Sequence, residues 1–197
     1  MTDNDIKNRL AQLISMADQA VFPRDPLRVL ASARRPPSPN LQLFLWHDEK
    51  DPGKSFYHIH VAGLQEYLEK MQVLCPHTML EPQALDRARA KGILQMTFDE
   101  IMLGMVIHEV RHRTQLFLQA PLLTKNHTDQ VLRCKLWGQM QTLLQQNDPM
   151  YAFEFDARFF QYYAAHELRQ GRLPLTPDSL KALLCMTPEE FLAKEKK

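Results

Sequence analysis

Residues 101–118 read IMLGMVIHEVRHRTQLFL. No Pro or Gly interrupts residues 105–118, and apolar residues crowd both ends, so one long helix is expected. Within it, His108-Glu109-Val110-Arg111-His112 forms an H-E-x-x-H string. On a helix the two histidines lie one turn apart on one face. Two imidazoles so placed can reach one metal ion, and the intervening Glu109 can reach a water bound to it. A wheel at about 100° per residue puts Ile101, Gly104, Met105, Arg111 and Gln115 on the histidine stripe. Leu103, Val106, Ile107, Val110 and Phe117 fall on the far side. The wheel therefore predicts an apolar face for the core and a separate stripe carrying both histidines. Arg111 stands on that stripe, where a cation repels a metal unless a carboxylate pairs with it.

The surrounding chain suits one domain over residues 1–197, long enough to bury a core. Its 45% hydrophobic and 24% charged residues are ordinary for a soluble globular protein. A net charge of +1 gives no reason to expect a nucleic-acid partner. No run of about 18 apolar residues is present, so no membrane-spanning helix is expected. The N-terminus lacks the apolar core of an export signal, which predicts a cytoplasmic protein. Cys75, Cys134 and Cys185 are odd in number and widely spaced. They predict neither a disulfide framework nor a thiolate zinc site.

Residues 1–40 read as a lead-in. Ile6, Leu10, Leu13, Ile14, Ala17 and Val21 recur at helical spacing, predicting a packing helix over 5–21. Pro23 and Pro26 end it, and Pro36, Pro37 and Pro39 follow LRVLASARR, so that region is expected to be a loop, part of it extended. Residues 41–61 form a β element. LQLFLW (41–46) and SFYHIHV (55–61) flank Asp51-Pro52-Gly53, which predicts a hairpin or two strands of a small sheet. Alternation turns Phe56, His58 and His60 to one face and Tyr57, Ile59 and Val61 to the other. His58 and His60 read as polar residues on an exposed face, with metal binding at that spacing as the alternative. Helices are expected over 63–74, 80–93, 129–146 and 150–169. Thr97 is placed to cap the central helix and Gly171 to end the aromatic one. In the tail, 171–197, Thr176-Pro177 and Thr187-Pro188 each predict the start of a short helix.

A catalytic zinc needs a third protein ligand, and YAFEFDARFF offers Glu154 and Asp156. Glu154 shares a helix face with Arg158, Gln161 and Ala165. Asp156 lies nearly opposite, among Phe159, Phe160 and Tyr163. A carboxylate among aromatics is costly unless paired or metal-bound, so either residue is a candidate ligand. A salt bridge from Asp156 to Arg111, Arg113 or Arg158 is the other reading. The predicted fold is α+β, predominantly helical, with the small β element packed on helices.

The H-E-x-x-H helix, followed by a helix with glutamate in an E-x-D-A context, resembles the gluzincin metallopeptidases, in particular their minimal bacterial domains. The resemblance covers roughly residues 97–165. It implies a zincin-like fold, a zinc cofactor and a peptide or protein substrate held along a sheet edge. It implies His108, His112 and Glu154 as ligands and Glu109 as general base, with Asp156 behind a histidine to orient it. Arg111 and Arg158, together with Tyr162 and His166, are candidates to stabilise a transition state or support the site. Family members usually carry uncharged residues where this chain has Arg111 and Arg113. A second resemblance is to the DinB-like metal-binding four-helix bundles, whose H-x-x-x-H-R-x-Q helix is similar to His108 and His112-Arg113-Thr114-Gln115. That family takes its third ligand from a histidine on an earlier helix, where this chain offers His77, His58 or His60. The function expected is therefore a zinc-dependent peptidase or amide hydrolase. The alternative is a non-catalytic helical domain that binds metal or a protein partner.

Overall fold

Helix α1 (Asp3–Val21) begins with a capping box. The Thr2 hydroxyl accepts from the Asp5 amide at 3.2 Å, and the Asp5 carboxylate accepts from the Thr2 amide at 2.8 Å. Its periodic residues Ile6, Leu10, Leu13, Ile14 and Ala17 are buried. The computed structural model describes residues 1–37, 42–48, 50–74, 96–123 and 149–195. The helices expected over 80–93 and 129–146 lie outside them, as do Cys75, Cys134 and His77. Cys185 is a free thiol.

Three strands follow α1: β1 (Arg28–Ser32), β2 (Leu43–Trp46) and β3 (Phe56–His60). The sheet order is β1-β3-β2, with β2 and β3 antiparallel as the hairpin pattern predicts. Between them Pro52–Lys54 form a single 3₁₀ turn. The segment expected to be a loop differs: its extended part is strand β1, paired parallel to β3 from Arg28↔Phe56 to Ser32↔His60. The flanking prolines stop short of these residues, so every amide of RVLAS keeps its hydrogen. Tyr57 and Ile59 point into the core, while Phe56, His58 and His60 lie half-buried on the other face. His58 Nε2 and His60 Nδ1 contact Ser32 Oγ at 3.0 and 3.2 Å.

Helix α2 (Leu64–Leu74) leads toward the central helix α3 (Phe98–Leu118). Thr97 caps α3 with a second capping box, closed by Glu100. Beyond it come α4 (Pro149–Arg169), α5 (Pro177–Leu184) and α6 (Pro188–Glu195). Thr176 and Thr187 accept from the amides of Ser179 and Glu190, and Gly171 takes φ 67° after α4. That positive φ is easiest for glycine. The fold is thus α+β and mostly helical, with a three-stranded sheet. No helix among the described residues is long and apolar enough to cross a membrane.

Helix α3 packs against α1, α2, α4, α5 and β2. This corrects the two-faced helix of the wheel. Ile101, Met102, Leu103, Met105, Val106, Ile107 and Val110 are buried, but so are Arg111, Arg113, Thr114 and Gln115. Helices cover the histidine side as well as the apolar side, so α3 has no solvated stripe. Each fully buried aliphatic side chain contributes about 1.5–3 kcal/mol, and each buried cation must find its countercharge inside. Arg113 donates to both oxygens of Asp18 at 2.7 Å and lies over the Phe22 ring, 3.9 Å from its centroid. Asp18 also accepts from Tyr57 Oη at 2.7 Å and from the Leu27 amide at 2.9 Å. One carboxylate thereby ties α1, α3, β3 and the entry to β1 together.

Candidate metal centre

Helix α3 presents His108 and His112 one turn apart, with ring centroids 4.6 Å apart and Nε2 atoms 3.1 Å apart. Helix α4 brings Glu154 to the same point. Its Oε1 lies 3.1 Å from His112 Nε2, and its Oε2 lies 3.6 Å from His108 Nε2. The ligand atoms of these three residues all fall within 4.8 Å of one another, the one such group among the described residues. Gly104, one turn before His108, permits the close approach. A Cβ there would stand 3.0 Å from Gln161 Cγ and 3.4 Å from the Gln161 carbonyl oxygen.

The donor set fits a transition-metal ion on geometry and chemistry. A tetrahedral ion with bonds of about 2.0–2.2 Å holds its ligands roughly 3.3–3.6 Å apart. The two Nε2 atoms are 3.1 Å apart, and each has one Glu154 oxygen close by, Oε1 at 3.1 Å from His112 and Oε2 at 3.6 Å from His108, separations near that range. Two imidazoles and a carboxylate suit zinc, and also its first-row neighbours.

Of the two candidate carboxylates on α4, Glu154 joins the histidines and Asp156 does not. Asp156 is fully buried on another side of the helix. It accepts from Arg111 Nε at 2.6 Å, Arg111 Nη2 at 3.1 Å, the Leu123 amide at 2.7 Å and Gln115 Nε2 at 2.7 Å. Asp156 as a ligand is thus corrected: none of its contacts is to a histidine, and it reaches the pair only through Gln115. Arg111 is corrected as well. The wheel located its Cα on the ligand stripe, but its long side chain turns away into the core. There it pairs with Asp156, donates to the carbonyls of Leu184, Met186 and Pro121, and stacks on Phe160. It does not line the cavity beside the histidines. Arg158 remains at the site, its Nε 3.4 Å from Glu154 Oε2.

A cavity of about 140 Å³ opens beside the group. His108, Glu109, Arg158, Gln161 and Tyr162 line its polar side, and Leu43, Tyr67, Met71 and Met105 the rest. His166 is not among the lining residues. Glu109 reaches the cavity from the flank of α3, and its Oε2 accepts from the Leu45 amide at 2.7 Å. Among the described residues strand β2 is a sheet edge, and on its outer side the Glu109 carboxylate takes that amide. The residue that sequence reasoning missed is Gln115. Its Oε1 lies 2.9 Å from His112 Nδ1, while its Nε2 donates to Asp156 and to the Phe153 carbonyl. The signal was its place on the histidine stripe, three residues after His112.

The electrostatics follow from crowding titratable groups into part-buried space. Desolvation pushes the Glu109 carboxyl up to about 7, against the pull of His112 and the Leu45 hydrogen bond. Desolvation and the neighbouring His112 charge take His108 down to about 3. The hydrogen bond from His112 holds Glu154 well below the usual carboxylate range. Burial lowers His112, but hydrogen bonds to Glu154 and Gln115 and the charges of Glu109 and Glu154 outweigh it and raise its pKa.

These directions set how the metal-free protein responds to acid. His108 and Glu154 are lowered in the fold, so they contribute stability above their unfolded pKa values, 6.5 and 4.5. That stability is lost as pH falls toward about 3 and below. His112, being raised, contributes below 6.5 and loses its contribution as pH rises through its folded value. Titration of the imidazole resonances is expected to show His108 neutral at pH 5 while His112 is protonated. Equal titration of both rings would show that the three groups do not meet in solution.

No family model, curated protein or solved structure matches this chain.

Proposed function

We propose that this chain is a zinc-dependent peptidase or amide hydrolase of the gluzincin kind, with His108, His112 and Glu154 holding the ion and Glu109 as general base. The observation that carries the reading is the meeting of three donors from two helices, within 4.8 Å of one another, with a flanking carboxylate and a cavity beside them. A zinc ion held there supplies a polarised water and a Lewis acid for the substrate carbonyl. Glu109, anchored through one oxygen by the Leu45 amide, is the carboxylate that would serve there as general base and acid, holding a proton and releasing it. Strand β2 offers an edge for an extended peptide. Arg158 and Tyr162 are the polar groups on the cavity wall proposed to meet charge developing on the substrate. A cytoplasmic location belongs to the same reading.

A second reading keeps the metal and drops the chemistry. The Leu45 hydrogen bond, which favours it, already occupies part of the Glu109 carboxylate. On that reading the chain is a metal-stabilised interaction domain. The observed sheet and the glutamate at the third position support the gluzincin resemblance over the four-helix bundle.

Elemental analysis of the purified chain tests the common premise. One zinc per chain is expected, lost in His108→Ala, His112→Ala and Glu154→Ala alike. A metal-free parent whose stability is insensitive to chelator would end both readings.

A further inference from the structure

Gln115 is placed to decide which nitrogen of His112 is bare. Its amide nitrogen lies 2.7 Å from Asp156 Oδ2 and 3.1 Å from the Phe153 carbonyl oxygen. Both partners accept, the first being a carboxylate paired with Arg111. The NH₂ end of the amide must point at them, which fixes its orientation. Oε1 is thereby left 2.9 Å from His112 Nδ1. An oxygen that can only accept requires a hydrogen on Nδ1. In the neutral ring Nε2 is then the unprotonated nitrogen, and Nε2 is the atom facing His108 and Glu154.

The far end of this chain of contacts is buried and hydrogen-bonded on several sides. Asp156 is held by two nitrogens of Arg111 and by the Leu123 amide. Arg111 is held in turn by the carbonyls of Leu184 and Met186, at the end of α5, and of Pro121. Arg111 and Asp156 are fully buried, and Gln115 is 4% exposed.

We propose that Gln115 is a positioning residue that presents Nε2 of His112 to the metal, with the Asp156–Arg111 pair as its fixed support. This rests on the reading of His108, His112 and Glu154 as a metal centre. It departs from the family resemblance, which implies a carboxylate acting on the histidine directly. Here Arg111 claims the carboxylate, and an uncharged amide carries its influence across. The amide sets tautomer and ring orientation without adding negative charge beside the ion. It also links the tail to the metal: the carbonyls after α5 fix Arg111, Arg111 fixes Asp156, and Asp156 fixes Gln115.

The test combines zinc affinity by chelator competition with ¹⁵N resonances of the histidine rings, both on the full chain. In the parent, His112 is expected to carry Nδ1–H and to bind zinc through Nε2. Gln115→Met fills the same space without the hydrogen bonds, and zinc affinity is expected to fall about 10–100-fold. Gln115→Glu is expected to recover most of that loss. A glutamic acid kept protonated by Asp156 donates to it and accepts from Nδ1 as the amide does. A role in packing alone predicts the reverse order, since Met suits a buried site better than Glu. An affinity in Gln115→Met within about twofold of the parent overturns the proposal, and so does an Nε2–H tautomer in the parent, a measurement that needs no variant. A parent that binds no zinc overturns the metal reading and this proposal together. A zinc-binding parent indifferent to Gln115→Met overturns this proposal alone.

Discussion

Glu109→Gln is expected to keep the zinc and to lower hydrolysis by about 10²–10⁴-fold, the usual worth of a positioned general base. The substitution is close to isosteric. A glutamine oxygen can still accept from the Leu45 amide, which Glu109 does at 2.7 Å. Glu109 is not one of the three converging ligands, so the metal content should not change. What disappears is a group that can take up and release a proton. The comparison needs two numbers from one preparation: metal per chain and turnover of a peptide or amide substrate. Metal retained with turnover lost supports the hydrolase. Metal retained with turnover unchanged removes Glu109 from the mechanism and leaves the metal-stabilised interaction domain. Metal lost along with turnover would show that Glu109 supports the fold of the site and would leave its role as base without support.

Asp156→Ala is expected to destabilise the metal-free fold by about 3–5 kcal/mol, the range for breaking a buried ion pair from one side. The loss is large because Asp156 serves three partners. Its removal leaves the Arg111 guanidinium, the Leu123 amide and the Gln115 amide facing an empty space. Removing both charges is expected to be milder. An Arg111→Met, Asp156→Leu double variant should recover part of the stability, since apolar side chains of similar volume replace a pair that was costly to desolvate. Recovery stays incomplete because the carbonyls of Leu184, Met186 and Pro121 lose their donor. Denaturant titration of both proteins without metal measures the difference. A loss below about 1 kcal/mol for Asp156→Ala would mean that the pair is solvent-accessible in solution.

Local elements were legible wherever the chain carries its own punctuation. Thr97 with Glu100, and Thr187 with Glu190, form capping boxes that need only residues three apart. The hairpin was legible because Phe56–His60 alternates and a turn precedes it. Strand β1 was less so. Its partner in the sheet is β3, with the whole of β2 between them in sequence, and a parallel pairing of that kind leaves no local pattern. The pair of histidines one turn apart was fixed by helix geometry alone.

The sequence by itself determined that His108, Glu109 and His112 share one helix and that two carboxylates, Glu154 and Asp156, follow on another. Tertiary structure alone decided between those carboxylates. The choice depends on how α4 is rotated about its axis against α3, which is set at contacts such as Gly104 against Gln161. It also decided the fate of Arg111. A wheel gives the direction of a Cβ, whereas a guanidinium lies several bonds farther out and goes where a countercharge waits. The same limit hid Gln115, whose importance lies in what stands on either side of it: His112 from its own helix and Asp156 from the next. Local sequence fixes the order and spacing of donors along a helix. Only packing between helices fixes which of them meet.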